Sequence, residues 1–208
     1  MKINALCVDD KGIKTAEKCA DIVYAASNGT VSDRIKTWQV YDGAVTSGDI
    51  YLDTMTDETL LESACDYLIT TEARAIVRAA FDLEESGIIE ARYKLSPIML
   101  LHKLGIISNC MIAGGVCLDN DDLDLMAQEN VPLILLPTAD AGYGHGFAPV
   151  CAAIKRGVRV GVGTYDGKYN KTHDIDNELK FLRLVTNAEM SRENSLTEMQ
   201  LKAISAFE

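Results

Sequence analysis

Two short runs constrain the fold more than anything else in this chain. Pro132–Leu136 and Val158–Val162 are almost uninterrupted apolar stretches bounded by turn residues. A strand with one face in water alternates apolar and polar residues, whereas a strand covered on both faces reads as continuous apolar sequence. Both runs therefore predict a parallel sheet walled by helices. Further β-rich runs follow the same logic at Ile3–Val8, Arg34–Val40, Ala75–Ala80 and Cys110–Gly114, giving six strand candidates.

Helical segments fall between them. Thr56-Asp57-Glu58 supplies an N-cap and early acids ahead of Leu60, Leu61, Ala64 and Leu68 at helical spacing. Ser96-Pro97 opens a second helix with proline in its first turn and Met99, Leu100, Leu101 and Leu104 on its apolar side. The acids Asp119 to Asp122 open a third; they lack the alternating spacing of a calcium loop. From Thr186 to Glu208 a polar tail carries Leu196, Met199, Leu201, Ile204 and Phe207 at helical period, predicting a C-terminal helix on the domain or on a partner. Repeated strand–helix units with right-handed crossovers leave two architectures, a (β/α) barrel or an open doubly wound sheet. No linker or repeat breaks the chain, so residues 1–208 read as one domain.

Composition narrows the partners. A formal net charge of -11 over 208 residues disfavours duplex nucleic acid and anionic membrane surfaces. The start of the chain turns acidic at Asp9-Asp10 before an apolar core develops, unlike an export signal. No apolar run is long enough to span a bilayer. Six scattered cysteines without paired spacing read as reduced thiols, which places the protein in the cytoplasm. Cys110, Cys117 and Cys151 are expected to be packing residues rather than nucleophiles, and Trp38 is expected in the core.

Two stretches resemble the chlorohydrolase/aminohydrolase (TRZ/ATZ) branch of the amidohydrolase superfamily. One runs from Ala91-Arg92-Tyr93-Lys94-Leu95-Ser96-Pro97 through His102-Lys103-Leu104-Gly105 to Asp119–Asp122, and its strand reads Ala113-Gly114-Gly115-Val116-Cys117-Leu118. The more specific one is Leu136-Pro137-Thr138-Ala139-Asp140 followed by Gly144-His145-Gly146-Phe147-Ala148-Pro149, then Gly157 to Thr164. Asp174-Ile175-Asp176 and Glu178 are similar to the acidic start of the last barrel helix. The resemblance implies a shortened TIM-type (β/α) barrel whose relatives activate water on a mononuclear zinc or iron and attack an amidine, aminopurine or halotriazine carbon.

The same resemblance implies a loss. Such a site takes four histidines and a carboxylate, and the chain has three histidines, His102, His145 and His173. Arg78 falls at a metal-histidine position, Phe81 at the proton-shuttling glutamate, and Gly114 and Leu135 at two further histidines. Tyr165 stands in register with the family carboxylate, with Asp166 one residue late. Arginine is a permanent cation without an acceptor and does not ligate a divalent metal. The expectation is therefore no metal cofactor, with zinc or iron only if an altered site operates. Set against the family, the chain begins after the first strand and lacks the C-terminal β-rich part. Open barrel edges would then require a homo-oligomer or a partner chain.

Three functions remain open. The first is a non-catalytic relative that binds a partner or small molecule. The second is a hydrolase or deaminase with an altered site around Asp166, His145 and His173. The third is an anion- or nucleotide-binding module using the glycine loop at 142–146 and Arg78. The candidate ligand-binding residues are Arg78, Gly144, His145, Gly146 and Asp166, with Asp166 and His145 also the catalytic candidates. Each has a plain alternative: His145 as a loop residue, Asp166 as a turn residue, and Arg78 in a salt bridge to Asp82, Glu84 or Asp166.

Overall fold

The computed structural model describes residues 1–8, 11–27 and 33–207. The acidic pair Asp9-Asp10 and the terminal Glu208 lie outside them. Eight parallel strands run in sequential order: β1 Ile3–Cys7, β2 Ile22–Ala26, β3 Ile35–Val40, β4 Ile50–Leu52, β5 Ala75–Ala79, β6 Cys110–Gly114, β7 Leu133–Leu135 and β8 Val160–Val162. The chain is a (β/α) barrel, as expected, with two strands more than the sequence disclosed. β2 is a short run ending in two alanines, and β4 is only three residues long, too short to display a period.

Helices α1 (Ile13–Cys19), α2 (Glu58–Thr71), α3 (Leu83–Tyr93), α4 (Pro97–Lys103), α5 (Asn120–Gln128), α6 (Pro137–Tyr143), α7 (Val150–Lys155), α8 (Ile175–Glu189) and α9 (Glu198–Ser205) complete the order. Their starts follow local chemistry. Asp57 caps α2 by accepting from the Leu60 amide at 3.0 Å, and Ser96 caps α4 through the Met99 amide at 3.1 Å, with Pro97 at the first helical position. Asp119 and Asp122 form a reciprocal capping box on α5, so this acidic cluster is a helix start.

Strand parity divides the apolar residues into two cores. Ile50, Leu52, Ala75, Val77, Ile112, Leu133, Leu135, Val160 and Val162 face outward against Leu61, Leu68, Ile89, Leu101 and Met126 of the helices. The alternate positions, Ile3, Trp38, Tyr51, Ile76, Ala113, Ile134 and Leu136, fill the barrel interior. Interior volume is small, and Trp38, 1% exposed, takes much of it. Phe207 closes the floor at the strands' N-terminal side: a Cβ on Gly161 would stand 2.5 Å from its ring.

β1 and β8 meet to close the ring. The amides of Thr164 and Tyr165 both donate to the Leu6 carbonyl at 3.0 Å, and the Val8 amide donates to the Tyr165 carbonyl at 2.9 Å. Asn4 braces the seam, donating to Thr164 Oγ1 at 2.8 Å. Thr164 Oγ1 in turn lies 2.7 Å from Nδ1 of the buried His173. The edges expected to be open thus approach each other in a nearly closed barrel. The tail divides into the last turn of α8, a turn region and α9, and α9 lies against β8 and delivers Phe207 to the floor rather than shielding an edge.

The seam leaves no room for a side chain at Gly163, whose Cβ would meet the Leu6 carbonyl oxygen at 2.7 Å and amide nitrogen at 2.8 Å. Gly163→Ala should cost about 1–3 kcal/mol, since backbone on both sides must shift. Gly87→Ala, in open space within α3, should instead stabilise by about 0.5–1 kcal/mol. Urea unfolding of both variants checks the contrast; equal effects would mean the seam is not packed this way.

Candidate functional site

Side chains from the ends of β4, β5, β7 and β8 converge at the C-terminal mouth of the barrel, where (β/α) barrels carry their chemistry. β5 supplies the central group. Ile76 points inward and Val77 outward, so period-two parity turns Arg78 into the interior. Its guanidinium carbon lies 3.8 Å from the Phe81 ring centroid and 4.8 Å from that of Tyr165. The nearest carboxylate oxygen in an ion pair is Asp53 Oδ1, 3.9 Å from Nη1. The expected salt bridge to Asp82, Glu84 or Asp166 is replaced by this looser one, because Asp53 follows β4, the strand beside β5. Asp53 also accepts from the hydroxyls of Tyr51 and Tyr165.

Asp82 and Asp140 come from the residues that turn a strand into a helix. One oxygen of Asp82 caps α3, accepting from the Glu85 amide at 2.7 Å, and the other faces His145 Nε2 at 3.7 Å. Asp140 sits in the first turn of α6, buried to 3% exposure, with Oδ1 3.4 Å from His145 Nδ1. The imidazole therefore stands between two carboxylates. It packs against Phe81 at 5.5 Å and stacks on Tyr143 at 5.6 Å.

Burial sets the proton affinities. It pushes the Asp140 carboxyl up to about 7, against the downward pull of Arg78 and with added push from Glu178. Glu85, buried below the mouth, is also driven to about 7 by burial, while the Ala80 and Phe81 amides pull it down. His145 is lowered by burial first and Arg78 second, with Asp82 opposing. A carboxyl raised to about 7 thus lies against an imidazole lowered by burial, an arrangement suited to acid–base chemistry.

The sequence candidates distribute unevenly. Arg78 and His145 enter the mouth. Asp166 lies in the turn after β8, where its carboxylate takes the Tyr143 hydroxyl and the Lys168 amide, so it reaches His145 only through the Tyr143 ring. Gly144, with φ +79°, is the C-cap of α6, and its amide and that of His145 return to the Ala141 and Asp140 carbonyls. These two amides serve a helix end rather than an anion cradle. Gly146, at φ +116°, turns the chain past Val116. His102 is exposed on α4 and His173 is buried at the seam, both away from the mouth. Of the three cysteines singled out, only Cys110 is fully buried; Cys117 and Cys151 are half-buried. Asp53, Asp82 and Asp140 were not recognised as site residues. The available signal was position, since Asp53 directly follows β4 and Asp82 and Asp140 lie within five residues of the ends of β5 and β7.

No family model matches the sequence. It is 34% identical over 95 residues to a 5-methylthioadenosine/S-adenosylhomocysteine deaminase of Caldicellulosiruptor saccharolyticus, a stretch covering 45% of this chain and 22% of that protein. The fold is similar to an adenosine deaminase from Xanthomonas campestris with bound zinc (TM-score 0.70, 15% identity, 97% of this chain, 45% of that one). It is also similar to an atrazine chlorohydrolase from Arthrobacter aurescens complexed with zinc (TM-score 0.69, 16% identity, 97% of this chain, 52% of that one). That sequence similarity is thus to a deaminase over less than half of this chain, and the solved structures share its barrel fold. The chain spans about half or less of the length of the proteins it matches.

The expectation that no metal belongs to this chain is corrected by those neighbours, which hold zinc in the same barrel. Among the described residues no three His, Cys, Asp or Glu side chains group closely enough to hold a metal ion. The nearest approach is Asp82–His145–Asp140, where both ring nitrogens are turned to carboxylates and Arg78 adds a fixed positive charge. These residues alone do not fit a metal, and no step is routed through one. Among the described residues no helix is long and apolar enough to cross a membrane.

The raised Asp140 carboxyl has a consequence for stability. Its folded value of about 7 exceeds the ordinary 3.8, so between these values the native state holds more protons than the unfolded chain. Stability from this group is full below about pH 4 and is lost as pH rises through 7. Asp140→Asn should remove that loss, so its stability relative to wild type should climb between pH 5 and 8. Chemical denaturation across that range, compared at each pH, reads the difference; a flat difference would place Asp140 in contact with water.

Proposed function

We propose that this chain is a hydrolase of the deaminase type in which Asp140 and His145 handle protons at the barrel mouth. The observation that carries this reading is the 3.4 Å approach of a carboxyl at about 7 to an imidazole lowered by burial. Asp166 reaches this pair only through Tyr143, as an outer support. The reaction class is hydrolytic loss of ammonia from an amino-substituted heterocycle. Water adds to the carbon bearing the amine, forming a C–O bond, and its proton passes to the Asp140–His145 pair. That proton is returned to the amine nitrogen, the C–N bond breaks and ammonia leaves. Adenine nucleosides of the kind named for the deaminase relatives are the substrates to test first. Cytoplasmic residence fits the scattered, unbridged spacing of the cysteines in the sequence.

A second reading, ligand binding without turnover, is favoured by one observation. The positions that the family resemblance aligns with metal histidines hold Arg78, Gly114 and Leu135; none of them moves a proton, and Leu135 faces the helices. Purified protein should be incubated with 5-methylthioadenosine and with adenosine, with and without added zinc, while ammonia release is measured. Release that falls at least about 100-fold in Asp140→Asn supports the hydrolase. Thermal stabilisation by the nucleoside with no ammonia in any condition would establish the binding reading instead.

A further inference from the structure

Arg78 is the least satisfied cation of the barrel. Its side chain is only 12% exposed, yet its Nε finds no acceptor and no hydrogen bond joins its guanidinium to any described residue. The reason is geometric. Phe81 and Tyr165 lie against the guanidinium at 3.8 and 4.8 Å, which offers π-density to the cation but accepts none of its in-plane N–H bonds. Among the described residues its one ion-pair partner, Asp53, stays at 3.9 Å, beyond hydrogen-bonding distance, with its own side chain 55% exposed and held by two tyrosine hydroxyls. A buried guanidinium without hydrogen bonds is costly, and a planar fork with free edges matches a two-oxygen anion.

Charge balance at the mouth permits such a guest. The buried carboxyls closest in influence, Asp140 and Glu85, both sit at about 7 and are partly protonated at neutral pH. Asp53 and Asp82 remain to oppose an incoming anion, and Asp53, the more exposed, is the competitor that a ligand would displace from Arg78.

We propose that Arg78 is the receptor for an anionic end group, a carboxylate or a phosphate, of the molecule that occupies the barrel mouth. This deepens the reading of the mouth as a ligand site and assigns it a negatively charged small molecule. The glycine loop at 142–146 takes no direct part. Phe81 and Tyr165, both against the guanidinium, restrict the side from which two oxygens can reach it.

The test is isothermal titration calorimetry of the whole chain with inorganic phosphate and, separately, with succinate, against sodium chloride at matched ionic strength. Binding of either anion above the chloride control, weakened at least tenfold in Arg78→Gln, is the expected result; which anion binds tells phosphate from carboxylate. No binding beyond chloride, or equal affinity in Arg78→Gln, overturns the proposal. Should Arg78→Gln fail to fold, Asp53→Asn is decisive: removing the competing carboxylate should tighten binding severalfold, and unchanged or weaker affinity overturns the proposal. Calorimetry reads no turnover. Anion binding without ammonia release therefore leaves Arg78 as receptor while the hydrolase reading fails, and ammonia release without anion binding does the reverse.

Discussion

Strand parity on β5 carries a permanent positive charge into the interior of a small barrel, and most of the site's chemistry is arranged around that charge. Arg78 cannot shed its proton, so burial has to be offset by neighbours. Phe81 and Tyr165 cover it, Asp53 lies beside it, and its field pulls down the proton affinities of Asp140, Glu85, His145, Tyr51, Tyr143 and Tyr165. Desolvation pushes both carboxyls the other way and prevails, leaving Asp140 and Glu85 at about 7. An apolar residue at position 78 would leave those carboxyls still higher and His145 closer to its ordinary value. The Asp140 carboxyl is therefore set by a balance between burial and one guanidinium, whereas at His145 the two act together and only Asp82 opposes them.

How far the sequence disclosed this follows from range. Strands buried on both faces announce themselves by composition, and β5, β6, β7 and β8 are recognisable from a handful of residues each. β4 is three residues long, and no pattern survives at that length. Parity could have placed Arg78 inside, since Ala75, Val77 and Ala79 share the opposite face. Its partner could not be read, because Asp53 lies 25 positions earlier and meets it only through the pairing of β4 with β5. Asp140 stood within a recognised motif, but its burial depends on the packing of α6 against α8. Asp166 illustrates the converse: a carboxylate at a strand end looks catalytic in sequence, whereas backbone geometry turns it to the Tyr143 hydroxyl and the Lys168 amide.

Closure follows from small residues as much as from strands. At the β1–β8 seam, Gly163 lets the Leu6 backbone approach, and Asn4 and Thr164 satisfy the polar groups that a regular ladder would have paired. His173 extends the same network inward, held against Thr164 and Gly167 with φ +50°. At the other end, Gly161 admits the Phe207 ring as the floor. One glycine permits a seam and another a plug, so the barrel stays narrow enough for Trp38 and a few aliphatic side chains to fill it, and the mouth is left as the polar opening.

The relation to zinc-bearing neighbours then acquires a physical form. In a shared barrel, the positions that point into the mouth are fixed by strand parity, whatever residues occupy them. Where imidazoles gather there, the pocket suits a soft-donor cation. Here the same geometry gathers a guanidinium, one imidazole and several carboxylates, two of which keep their protons near neutral pH. Such a set can hold an oxyanion on Arg78 and exchange a proton at His145, and both side chains touch the Phe81 ring. Phe81 is thus a shared wall of the site: its ring lies 3.8 Å from the cation and packs against the imidazole at 5.5 Å, so one aromatic side chain helps to place both the charge and the proton.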